Sequence, residues 1–206
     1  MMRMLRRLEG KFGRYTIENL MLVLCAGQVI VFFADLLTKG WASDLLWLSW
    51  YGVLHGEIWR LLTFVFVPES SSLLSLLITV YFYYFIGGAL EGEWGSFYFN
   101  CYYVLGMIFN IIAAAITGYG TIYFFNLTLF FAFSILYPDF TLLLFYIIPV
   151  KAKWLALIDA LLFLEQFIVY PSLRLQMLAS LIPLFLFFWD DIVSLIRRTI
   201  FRLRNR

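Results

Sequence analysis

A chain of 206 residues that is 64% hydrophobic, 21% aromatic and only 14% charged is far more apolar than a soluble domain, which is about half apolar and a quarter charged. Composition therefore excludes an ordinary soluble globule and leaves an integral membrane protein of one domain, residues 1–206. The net charge of +2 says little about partners beyond the lipid bilayer, and no nucleic acid is expected.

The placement of the positive charges is more informative. Five lie at the start (Arg3, Arg6, Arg7, Lys11, Arg14) and five at the end (Arg197, Arg198, Arg202, Arg204, Arg206), giving short basic tails over about 1–16 and 197–206. No small-residue cleavage site follows the first apolar run, so the first helix is expected to be retained. A spanning helix needs about 20 mostly apolar residues. Six segments qualify in chain order: 17–38, 73–90, 97–117, 121–137, 152–170 and 173–196. With the N-terminus in the cytoplasm, both tails and Lys151/Lys153 lie inside. That leaves only Lys39, Arg60 and Arg174 of the 15 Lys and Arg outside, as the positive-inside rule requires. Both termini are thus expected in the cytoplasm, in an inner or plasma membrane if bacterial and in the ER membrane if eukaryotic.

Two apolar stretches do not fit as spans. Residues 40–67 hold four of the seven tryptophans (Trp41, Trp47, Trp50, Trp59) among acidic residues and glycines. Indole rings favour the headgroup zone, so this reads as an interfacial structure in the outer leaflet, ending at Pro68. TLLLFYIIPV, 141–150, is too short to span and reads as an interfacial connector. Cys25 and Cys101 fall inside apolar runs and read as small core residues, with no metal cluster and no disulfide framework. No metal or cofactor is expected.

Three stretches, in order and at the right spacing, carry a family likeness. GEIWRLLTFVF (56–66), YFIGGALEGEWGSFYFNCYYVLG (84–106) and SILYPDFTLLLFYIIPVKAKWLALID (134–159) resemble the rhomboid superfamily. They correspond to its Trp-Arg motif in the first outer loop, its Leu-Glu…Gly-Ser junction, and its fourth-to-fifth-span connector. The resemblance implies an all-α polytopic membrane protein: a six-transmembrane-helix bundle with a membrane-embedded interfacial first outer loop and a shielded fourth helix. Trp59 and Arg60 then anchor the loop, the guanidinium donating to phosphate or loop carbonyls. Glu91 sits in a turn where it could accept from the start of span three, Gly92 and Gly95 permit a tight bend, and Ser96 is placed to cap the next helix.

Active rhomboids are serine proteases with a Ser–His dyad. Counting from the matched motifs places Tyr123 at the serine position, Ala179 or Ser180 at the histidine position, and Ser75 and Thr79 at the oxyanion-donor positions. A serine nucleophile needs a base within hydrogen-bond reach. The chain's single histidine, His55, lies in the first outer loop, and no lysine lies inside a span. Rings at 123–125 should fill the space that glycines would leave open, joined by Tyr81, Tyr83 and Tyr84 if span two faces them. No catalytic residue is expected, and the chain reads as an inactive homologue, or pseudoprotease, in the manner of derlins.

Asp159 and Gln166 share one face of span five and form an intramembrane polar site, structural or functional. Asp159 could hydrogen-bond a tyrosine, a serine or Asn110, and Glu165 could pair with Arg174. Asn126-Leu127-Thr128 is a sequon only by accident, since it lies inside a span. Gly88/Gly92 and Ala113–Ala115 with Gly118 should pack helices closely. The resemblance implies that the chain binds transmembrane helices of client proteins, as an adaptor or regulator in membrane protein quality control or trafficking. Two alternatives remain: an intramembrane protease with an unusual nucleophile, and a small transporter or lipid scramblase using Asp159.

Overall fold

The computed structural model describes residues 9–10, 13–70, 72–144 and 148–204, with the backbone alone for 143, 144, 148 and 190–204. Of the expected basic tails, Arg3, Arg6, Arg7, Lys11 and Arg206 lie outside the described residues, as do the side chains of Arg197, Arg198, Arg202 and Arg204.

Helix α1 (Leu20–Thr38) is followed by a loop built of α2 (Trp41–Leu46), β1 (Leu48–Ser49), α3 (Trp50–Leu54), α4 (Arg60–Thr63) and a 3-10 turn at Phe64–Phe66. Then come α5 (Leu73–Trp94), α6 (Ser96–Thr117), β2 (Tyr119–Gly120) and α7 (Tyr123–Leu136). The chain closes with β3 (Thr141–Leu144), β4 (Ile148–Lys151), α8 (Ala152–Val169) and α9 (Arg174–Arg204). Among the described residues, four helical stretches, Gly13–Thr38, Leu73–Trp94, Ser96–Thr117 and Pro171–Trp189, are long and apolar enough to cross a membrane. The chain is a helical membrane protein.

Six spans were expected, and the other two helices fall short for different reasons. Helix α7 has 14 residues, about 21 Å at 1.5 Å per residue, against a hydrocarbon core of about 30 Å. Helix α8 has 18 residues but carries Lys153, Asp159 and Glu165. At the far end, the span expected at 173–196 is part of one continuous helix to Arg204.

Local chemistry fixes the helix ends. Ser72 caps α5, its hydroxyl accepting from the Ser75 amide at 3.2 Å. Gly95, at φ 85°, stops α5 and starts α6 without a linker, a conformation open to glycine because it has no Cβ. Gly118, at φ 90°, closes α6 with its amide on Ala114 O at 2.8 Å. Three expectations at this junction change. Gly92 is helical, inside α5, so Gly95 alone makes the bend. Ser96 is the first residue of α6 and Gly95 its cap, with no side-chain cap bond. Glu91 accepts from the Asn19 amide at 2.8 Å, holding the start of α1 rather than of α6.

The connector at 141–150 is not helical. Strands β3 and β4 pair antiparallel from Thr141↔Lys151 to Leu144↔Ile148, a ribbon whose tip, 145–147, lies outside the described residues. Its base is closed by Lys151 and Lys153, both donating to Asp139, at 3.0 and 2.8 Å.

The core is aromatic. Phe99, Tyr102 and Tyr103 of α6 meet Phe125, Phe130 and Phe133 of α7, all almost wholly buried. Gly106 lets α6 approach: a methyl group there would overlap the Phe125 ring. The expected Gly88/Gly92 contact is absent, since both face open space and Gly87, against Met21, takes the close approach instead.

Candidate functional site

The loop between α1 and α5 is organised by one cation. Arg60 is buried, and its guanidinium donates to Glu57 Oε2 at 2.5 Å, to Asp44 O at 2.7 Å and to Trp47 O at 2.9 Å. Loop carbonyls and the Glu57 carboxylate are its partners. Gly52 leaves the room this needs, since a Cβ would strike Glu57 and Arg60. Trp59 donates its indole N–H to Leu45 O at 3.2 Å, with its ring exposed. Thr63 adds a bond to Leu46 O at 3.1 Å. The assembled loop pairs through β1 with β2, Leu48 opposite Gly120 and Ser49 opposite Tyr119. It is thereby locked to the turn that leads into α7. From α9, Gln176 Nε2 donates to Tyr119 O at 2.8 Å, so the same turn is held from two sides.

Tyr123 begins α7, its amide bonded to Thr121 Oγ1 at 3.2 Å. Its half-buried ring stands edge-on to Phe124, which meets Phe163 of α8. Phe125 points the other way, between Tyr102 and Tyr103 at ring-centroid distances of 5.4 and 5.2 Å. Asn126 and Thr128 are tied to the same tyrosines: Tyr103 donates to Asn126 Oδ1 at 3.4 Å, and Tyr102 OH lies 3.3 Å from Thr128 Oγ1. Of the three tyrosines of α5, only Tyr83 faces inward. Tyr81 and Tyr84 are exposed, because the 100° helical step puts them on the face away from Leu76 and Thr79.

A small cavity of about 20 Å³ lies beneath the loop, room for about one water molecule. Gln28 of α1, Glu69 of the loop, Thr79 and Tyr83 of α5, and Asn126 of α7 supply its polar lining. Glu69 Oε1 accepts from the Thr121 hydroxyl at 2.8 Å. The residue as a whole is exposed, yet protein atoms crowd its carboxyl. That crowding pushes its pKa up to about 7, against the opposing pull of the Thr121 hydroxyl and the Tyr123 amide. Glu69, Gln28 and Gln176 were missed by sequence reading. Glu69 follows Pro68 in a short polar joint, and no periodic pattern ties it to a partner 52 residues away.

The expected site residues do not converge. Thr79 lines the cavity, whereas Ser75 is an exposed residue of the first turn of α5. Ala179 is buried without a polar group, and Ser180 is turned to α6, donating to Asn110 Oδ1 at 3.2 Å and to Gln176 O at 2.9 Å. Asn110 thus pairs with Ser180, not with Asp159. Asp159 and Gln166 lie on α8, both half-buried and seven residues apart. Arg174 does not meet Glu165: it donates to Phe167 O at 2.8 Å and Ile168 O at 3.0 Å, capping the end of α8. His55 is exposed at the end of α3, stacked on Tyr51, with Nδ1 2.8 Å from Tyr51 O. No group of three or more His, Cys, Asp and Glu that could hold a metal occurs among the described residues. Among the described residues the expected Ser–His pair is not brought together: His55 Nδ1 meets Tyr51 O, and Ser180 donates to Asn110 and Gln176. What the site offers is a packed aromatic start to α7, with polar groups between α5, α7 and α8.

Comparison with protein-family models, with curated proteins and with solved structures finds no match.

Proposed function

We propose that this chain is a rhomboid-like membrane protein without protease activity, which binds transmembrane helices of client proteins as an adaptor or regulator in membrane protein quality control or trafficking. The observation that carries the reading is the start of α7. Where the rhomboid likeness calls for an exposed serine among glycines, Tyr123 packs against the cluster of Phe124, Phe163 and Met177, and Phe125 fills the hollow left by Gly106. The one histidine sits apart, stacked on Tyr51 in the loop. A serine without a base has a pKa too high for attack at neutral pH.

Client binding draws on α8. Only Ala152 and Phe163 of this helix are buried, and its outward residues, among them Leu157, Leu161 and Leu164, are exposed. In lipid, helices associate through packing and interhelical hydrogen bonds rather than through hydrophobicity. Asp159 and Gln166, half-buried on this helix, supply such polar contacts to an incoming segment. A photo-crosslinking residue at Leu161 in native membranes tests this. Discrete adducts with membrane proteins, weakened by Asp159→Asn with Gln166→Leu, are expected. Adducts with lipid alone would refute it.

A further inference from the structure

Helix α8 is apolar except at Lys153, Asp159, Glu165 and Gln166. Lys153 lies in its first turn and Glu165 close to its last. Asp159 is different, standing about 10 Å from the start of the helix at Ala152 and about 15 Å from its end at Val169. With one methylene, its side chain cannot carry the carboxyl to either end. Among the described residues Asp159 has no hydrogen bond and no cation within salt-bridge distance. The cations at the two ends of α8 are engaged elsewhere: Lys153 donates to Asp139, and Arg174 to Phe167 O and Ile168 O.

Helical phase decides what reaches this carboxyl. On one side of Asp159 lie Phe163, buried against Phe124 of α7, and half-buried Ala156 and Phe167. On the other side lie Ile158 and Leu162, both exposed. Asp159 thus stands at the border between the face of α8 that rests on α7 and a face left open, with Gln166 two turns further along the same border. We propose that this border selects client transmembrane helices that carry a lysine or arginine near mid-span, the cation docking on Asp159 while the client packs on Ile158 and Leu162. The proposal rests on the client-binding reading and names the class of client.

Charge complementarity identifies the occupant. Acyl chains offer a carboxyl neither donor nor cation, and headgroups stay at the surface. A second copy of this chain does not fit either. Helices α1, α5, α6 and α7 contain no lysine or arginine, α8 has only Lys153 in its first turn, and α9 up to Trp189 has only its first residue, Arg174. No helix of a second copy therefore brings a cation to the depth of Asp159. A foreign helix with a basic residue at mid-span has the opposite need, because ionisable groups at that depth pair with one another. The long stem of lysine or arginine adjusts the height of the charge, so register with Asp159 need only be approximate.

The test uses the full chain in liposomes, with a photo-crosslinking residue at Leu162, and a set of single-span helices of one leucine–alanine sequence. The set differs only at the central residue: Lys, Gln, Leu or Asp. Adduct yield is followed against the ratio of helix to protein. The Lys helix should reach half-saturation at a ratio about tenfold lower than its Gln and Leu twins. Asp159→Asn, which keeps the shape and loses the charge, should remove that advantage. Asp159→Lys should transfer the preference to the Asp helix, a gain that also shows the variant to be folded. Equal binding of the Lys and Leu helices, or a Lys preference that survives Asp159→Asn, would overturn the charge selection while leaving client binding in place. No adduct with any helix would overturn both.

Discussion

Helices α7 and α8 lie against each other, yet nine of the 14 residues of α7 are buried and only two of the 18 of α8. Both are strongly apolar, so hydrophobicity does not separate them. Length and polar pairing do. At about 21 Å, α7 is too short to bridge a hydrocarbon core by itself; α5, α8 and α9 pack against it, and the tyrosines of α6 reach it through their side chains. Each polar side chain buried in its interior has a partner: Asn126 and Thr128 with the tyrosines of α6, Ser134 with Phe131 O at 2.9 Å. Helix α8 shows leucine and isoleucine to the bilayer and keeps Asp159 and Gln166 half-buried. The shorter helix is thus the more enclosed of the two, and the longer, more charged one is left exposed.

The largest test of that contrast is a pair of truncations. Phe125→Ala should cost about 3–5 kcal/mol, since it empties a ring-shaped space between Tyr102, Tyr103 and Gly106. Leu162→Ala, on the exposed side of α8, should cost under about 1 kcal/mol. Reversible unfolding in mixed micelles would read both, and equal losses would erase the distinction. Next, Arg60→Ala should cost about 2–4 kcal/mol, because it strands the Asp44 and Trp47 carbonyls and the Glu57 carboxylate. Proteolysis within 40–66 should quicken in parallel. A smaller effect, about 1 kcal/mol, is expected for Thr128→Val, which removes the hydroxyl between Tyr102 and the Phe125 carbonyl.

The smallest effect belongs to the ribbon beside α8. Hydrogen bonds from Lys153 and Lys151 hold the Asp139 carboxyl at about 2, below its ordinary 3.8. A depressed acid stabilises the fold above its unfolded pKa, and the contribution fades as pH falls from about 4 to about 2. Because Asp139 is fully exposed, Asp139→Asn should scarcely alter stability at pH 7 and should flatten the residual slope below pH 4. A loss at pH 7 as large as that of Thr128→Val would show that the ribbon anchors α8 after all.

Much of this architecture is legible in the sequence because lipid imposes a simple rule. The helices ending at Thr38 and Thr117 stop where the apolar runs stop, and Gly95 and Gly118 mark chain reversals that few other residues tolerate. The Trp-Arg pair signalled an anchored loop, although burial decided that Arg60 serves carbonyls. Other features stayed hidden for physical reasons. The run TLLL…IIPV is continuously apolar, without the alternation that betrays a half-buried strand, so its ribbon pairing was unreadable. Rotational phase was harder still: within α5 a shift of one residue exchanges Gly87 for Gly88 and Tyr83 for Tyr84. Glu91 and Glu69 each act on a segment distant in sequence, and no local signal marks such pairs.

The central claim is that the start of α7 has no reactive group. Purified protein in liposomes, exposed to a serine-directed fluorophosphonate probe, tests it most directly. The account predicts no covalent labelling above that of heat-denatured protein, with transmembrane substrates left intact. Labelling abolished by one serine substitution, Ser180→Ala foremost, together with cleavage lost in the same variant, would contradict it.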